Sequence, residues 1–159
     1  MIRIGAFKGT GFLSKLIKWR TGGEYSHIGL CLDLQYWVEA EYGRGVCKTL
    51  YPPSKTGIEV DIYKADFKDE HTARKFLLKQ IGKAYDLKAV LNIATCNKED
   101  RSLSNKWMCS ELAYVTLVKG GVHVFNNTFA WEVDPNTLTR SPALTYMETI
   151  RVEEKPFVF

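Results

Sequence analysis

No stretch of this chain approaches the ~18 consecutive apolar residues that a membrane-spanning helix needs. The opening, "MIRIGAFKGTGFLSKLIKWR", is also a poor secretory signal. Its apolar residues are broken by Lys8, Lys15 and Lys18, and no small-residue cleavage site follows. The expectation is a protein made and kept in the cytoplasm. One-signed charge is missing too: 22 basic against 18 acidic residues leave a net charge of +4, with the signs interspersed. A nucleic-acid binder of this size would concentrate its lysines and arginines in a stripe, so no nucleic-acid partner is expected. The four cysteines, Cys31, Cys47, Cys96 and Cys109, form no C-x-x-C pair. A chain of 159 residues can bury enough surface to fold without disulfides, so four reduced thiols are expected, most of them packed as small apolar side chains. Repeats, low-complexity tracts and linkers are absent, which points to one domain over residues 1–159. No cofactor is expected.

Patterned segments fill the chain. Residues 1–5 read as a strand. "GFLSKLIKWR" reads as a short amphipathic helix, with Phe12, Leu13, Leu16, Ile17 and Arg20 on one side and Lys15 and Lys18 on the other. Such a helix more often covers a core than touches an anionic membrane, so membrane contact is not the favoured expectation. "SHIGLCLD" and "YWVEAEY" alternate with period two. They predict a hairpin turning at Leu34–Gln35, with His27, Gly29, Cys31 and Asp33 on one face and Ser26, Ile28, Leu30 and Leu32 on the other. "GVCKTL" and "GIEVDIYKA" predict two further strands, separated by a proline-containing loop at 51–56. Helices follow over 68–82, 85–94 and from Cys109 to the "KGG" stop. The stretch "HVFNNTFAWEVDPNTLTRSP" reads as irregular, before a last strand near "METIRVEE". Strands first and helices after predict an α+β fold, an antiparallel sheet, small and barrel-like, packed against helices.

The stretch "NKWMCSELAYVTL" sets a thiol at the start of a mostly apolar helix, with Ser104 or Asn105 as candidate caps. The free N–H groups and the positive end of the helix dipole favour thiolate there. A thiolate nucleophile needs a base. His71 lies among Asp69, Glu70 and Arg74 and reads as solvated, and His123 follows a glycine turn, which leaves His27. A Cys–His pair also needs a group to orient the imidazole. In the expected hairpin register, Glu39 falls nearly abreast of His27, with Glu41 in reserve, and Gly29 would let a helix approach closely. Each residue has an ordinary counterpart: a packed cysteine, a half-buried histidine, a solvated glutamate. A zinc site from His27, Cys31 and Cys109 lacks the paired spacing of structural sites.

The order "YSHIGL", "VEA", "GKAYD", "CSEL" resembles the circularly permuted papain-like cysteine hydrolases, the YiiX-like group, relatives of the NlpC-type cell-wall peptidases and the lecithin–retinol acyltransferases. "GFLSKLIKW" and "PNTLTRSP" are similar to the family's flanks, so the resemblance covers residues 7 to 143. It implies Cys109 as nucleophile, His27 as base and Glu39 as the orienting partner. It also implies substrate contacts from Tyr85 of "GKAYD", with Tyr25 and Glu41 beside the histidine strand. Asp86 would cap the next helix. The expected activity is a cysteine peptidase or amidase acting on a peptide amide of peptidoglycan type. The alternatives are a lipid-directed acyltransferase or thioesterase acting on a lipid ester, and a catalytically silent binding module. The acyltransferase branch's "NCEH" motif is absent.

Overall fold

A computed structural model describes residues 1–10, 12–33, 36–50, 57–95 and 105–151. Cys96, Ser104, the Leu34–Gln35 turn and the 51–56 loop lie outside the described residues. The elements run β1 (Arg3–Phe7), α1 (Phe12–Thr21), β2 (His27–Cys31), β3 (Tyr36–Glu41), β4 (Gly45–Leu50), β5 (Glu59–Ala65), α2 (Glu70–Leu78), α3 (Leu87–Thr95), α4 (Cys109–Lys119), a single 3-10 turn (Ala130–Glu132), α5 (Pro135–Thr139) and β6 (Leu144–Arg151). The six strands form one antiparallel sheet in the order β4-β3-β2-β1-β5-β6. The fold is α+β. Among the described residues no helix is long and apolar enough to cross a membrane.

Period-two alternation sorts the sheet into two faces. Ile4, Ala6, Ile28, Leu30, Val38, Ala40 and Tyr63 face the helices and join Leu112, Ala113 and Leu117 of α4 in the main core. Each fully buried Leu or Ile there contributes about 1.5–3 kcal/mol. Phe7, Cys31, Trp37, Val60 and Ile62 form a second, smaller cluster on the other face. Trp37 fits in that cluster because Gly5 has no side chain: a Cβ there would stand 2.4 Å from the indole ring.

Helix α4 is the central support, packing against α2 on one side and β2 on the other. It closes at Gly120–Gly121 with paired hydrogen bonds, Gly121 N–H to Val118 O and Val122 N–H to Leu117 O, both 3.0 Å. Gly121 takes φ 75°, the left-handed conformation that this C-terminal motif requires.

The segment expected to be irregular holds the 3-10 turn and α5. A five-residue helix is too short to show periodicity, but its cap is built in: Asp134 accepts from the Asn136 and Thr137 N–H groups, and Pro135 occupies the first turn. Helix α5 in turn carries Asn136, which is 3% exposed. Its amide accepts from Tyr25 N–H (2.9 Å) and donates to Tyr25 O (2.8 Å), serving as a partner for the chain entering β2.

Helix α1 buries Ile17. Arg20, expected on its apolar side, is exposed.

A candidate cysteine–histidine–carboxylate site

The chain stays extended up to Met108 (ψ 152°), so α4 begins at Cys109 itself. The expected cap at Asn105 does not form. Trp107 instead pairs with the 84–86 segment, its N–H donating to Ala84 O (3.0 Å) and its carbonyl accepting from Asp86 N–H (2.9 Å), which delays the helix. The Glu111 carboxylate accepts from Met108 N–H at 3.3 Å and closes the first turn. The same Trp107 pairing sets Tyr85 beside the helix start. Asp86 caps α3 as expected, accepting from Ala89 N–H at 3.0 Å.

The observed β2–β3 register differs from the expected one. It runs from Cys31 opposite Trp37 to Gly29 opposite Glu39, so Glu39 is diagonal to His27 rather than abreast of it. Gly29 makes this work. Added there, a Cβ would stand 3.1 Å from Glu39 Cγ and 3.0 Å from the Trp37 ring. Its missing side chain makes room for these two residues and for the Phe7 ring, also 3.1 Å away, and not, as expected, for a helix. The Glu39 carboxylate crosses that gap to His27, Oε2 to Nε2 at 2.8 Å. Its other oxygen accepts from the Thr49 hydroxyl at 2.7 Å. An ionised carboxylate only accepts, so Nε2 carries a proton and Nδ1 is the nitrogen left for the thiol.

The Cys109 thiol completes the set. It hydrogen-bonds the His27 side chain, and the Ile28 and Ser110 N–H groups donate to its sulfur. Burial alone would raise the thiol pKa, but the histidine charge, the hydrogen bond to it and the two backbone donors outweigh burial and hold the pKa below the ordinary thiol value. His27 shifts the other way. Burial disfavours its cation, yet Cys109 and then Glu39 more than compensate, and its pKa is pushed up to about 9. The two shifts together favour a thiolate–imidazolium pair.

Cys109 is only 4% exposed, whereas the His27 side chain is 13% exposed and lines a cleft of about 170 Å³. Ser14, Ile17, Ser26, Glu41, Tyr42 and Tyr85 also line it, so its wall is mostly polar and aromatic. Tyr42 and Tyr85 meet edge to face at 6.1 Å and lead to a second, shallower depression flanked by Arg44 and Lys83. Burial, and then the neighbouring Cys109, push the Tyr85 pKa up, so its hydroxyl stays a donor.

No family model matches the chain, and no curated protein matches it.

The residues singled out from the sequence are therefore placed as follows. Cys109, His27 and Glu39 are brought together. Tyr85 and Glu41 line the cleft, Glu41 with its carboxylate paired to Arg44 at 2.9 Å. Tyr25 is not brought there: its hydroxyl donates to Asp61 at 2.6 Å and contacts the Tyr63 hydroxyl at 2.9 Å. Cys31 donates to Asp33 O and belongs to the small cluster around Trp37. Among the described residues no group of three His, Cys, Asp or Glu could hold a metal ion. The residue missed was Thr49. The signal for it was present: on β4 Cys47 pairs with Glu39 and Thr49 with Trp37, so Thr49 is two residues along on the same face, diagonal to Glu39.

Proposed function

We propose that the protein is a cysteine hydrolase that cleaves an amide or ester through an acyl-thioester on Cys109. The observation that carries the reading is the relay of Cys109, His27 and Glu39, with the carboxylate 2.8 Å from the imidazole. In the resting pair His27 already holds the thiol proton. The thiolate attacks the substrate carbonyl carbon, forming a C–S bond and an oxyanion. The Cys109 N–H at the helix start serves as one donor to that charge and the Tyr85 hydroxyl on the cleft wall as the other. Collapse breaks the bond to the leaving group, which takes the proton from His27. The now neutral His27 accepts a proton from water as the water attacks the thioester. Collapse then breaks the C–S bond, which releases the acid and restores the Cys109 thiolate beside protonated His27.

The cleft's hydroxyls and Glu41 suit a polar chain better than a fatty acyl group, which favours a peptide-type amide. The resemblance to permuted papain-like hydrolases supports the same class and suggests a peptidoglycan-type peptide. Iodoacetamide labelling followed by peptide mapping tests the reading. Cys109 is expected to react at pH 6–7 faster than Cys31 or Cys47, and Cys109→Ala to abolish that fast phase with the fold intact. Equal, ordinary rates at every cysteine would sink it.

A further inference from the structure

Helix α1 has two unlike sides. Its inner side buries Ile17 and contributes Ser14 to the cleft. On its outer side Lys15 and Trp19 stand four residues apart, and Trp19 is 78% exposed, more than any other large apolar side chain among the described residues. Lys15, Lys18 and Arg20 surround it, and α1 contains no acidic residue. Lys15 and Lys18 are three apart on the helix, a like-charge spacing that repels. No acid lies three or four residues from either lysine. Among the described residues no acidic side chain forms an ion pair with Lys15, Lys18 or Arg20. Helix α3 packs against α1 and adds apolar surface, exposing Leu87 and Leu91.

An outer face with a protruding indole, the unpaired cations of α1 and exposed leucines is poorly matched to water. We infer that the α1–α3 face docks on an anionic phospholipid bilayer. The indole would enter the boundary between headgroups and acyl chains while Lys15, Lys18 and Arg20 meet the phosphates. A nucleic acid would satisfy the cations but leave the indole without an apolar partner. Because α1 is also a wall of the cleft, docking sets the cleft at the membrane surface. Resting on the hydrolase reading for this clause alone, the substrate is then one whose scissile bond is presented among headgroups.

The test is co-sedimentation of the full chain with vesicles of phosphatidylcholine alone or mixed with phosphatidylglycerol, at low and high salt. Partition is expected onto the mixed vesicles only, and it should fall steeply as salt rises. Each lysine or arginine at such a surface is worth about fivefold in partition, so Lys15→Glu with Lys18→Glu should lose at least about 25-fold. Trp19→Ala should lose about tenfold, and Trp19→Phe less. Lys15 and Trp19 are exposed and Lys18 is half-buried, none of them in the core, so melting temperatures should hold. Absence of partition onto mixed vesicles, equal partition onto neutral ones, or indifference to both substitutions would overturn the inference. So would tight, salt-dependent binding to duplex DNA without vesicle binding. Iodoacetamide labelling of Cys109 is read separately: a chain that labels but does not sediment rejects docking alone, and one that sediments but does not label rejects only the hydrolase.

Discussion

Glu39 and Asp61 are both buried acids on the same sheet, 3% and 5% exposed, yet they have opposite surroundings. Asp61 is saturated by groups that do not titrate near neutrality: the Thr149 hydroxyl, the Tyr25 hydroxyl at 2.6 Å and the Lys8 ammonium at 3.2 Å. Burial pushes its pKa up, but these donors outweigh burial and leave it below the usual carboxylate value. One Glu39 oxygen accepts from the Thr49 hydroxyl, and the other faces an imidazole that can gain or lose charge. A buried carboxylate whose partners are fixed ties strands together. One whose partner titrates passes its charge on, here to a thiol.

The largest expected effect breaks the Glu39 side of this contrast. His27→Ala should slow Cys109 alkylation at pH 6–7 by about 100-fold, leaving an ordinary buried thiol. Glu39→Gln keeps the shape and removes the charge. It should cost about 10- to 100-fold in the same assay, with the alkaline limit of His27 moved down from about 9. The matching change, Asp61→Asn, should leave alkylation alone and reduce stability by about 2 kcal/mol, read by urea unfolding.

Stability against pH sharpens the contrast further. The folded pKa of His27 is raised, so its contribution is fully present below about 6.5 and is lost as pH rises through about 9. That of Asp61 is lowered, so its contribution is present above about 3.9 and is lost as pH falls through its depressed value. Glu39→Gln should flatten the alkaline edge of the stability profile and Asp61→Asn the acidic edge. Cross-over of the two effects would mean the roles are misassigned. The smallest effect belongs to Thr49→Val, about 1 kcal/mol in stability, with Thr49→Ser restoring most of it.

The same contrast explains which features could be read from the residues alone. The two faces of β2 and β3 followed from alternation, because one face must be buried, and parity put His27 and Glu39 on the same face. Their diagonal offset did not follow. Tyr25 was misplaced for a long-range reason: its partner Asp61 is 36 residues away and reaches it only because β1 lies between β2 and β5. The Asn136 clamp, 111 residues from Tyr25, was hidden for the same reason. The helix start was misjudged because Asn105 has the chemistry of a cap, while the pairing of Trp107 with the 84–86 segment keeps the chain extended for three more residues.

The β2–β3 ladder ends at Gly29 and Glu39, and the next N–H inward, on Ile28, donates to the Cys109 sulfur. The reactive atom is thus also a stitch in the sheet. Capping it with an alkyl group weakens it as an acceptor, and this end of β2 should loosen. The Ile28 amide then becomes a built-in reporter of the state of that sulfur: its hydrogen–deuterium exchange should quicken in the alkylated protein, while amides at the far end of β2 keep their protection.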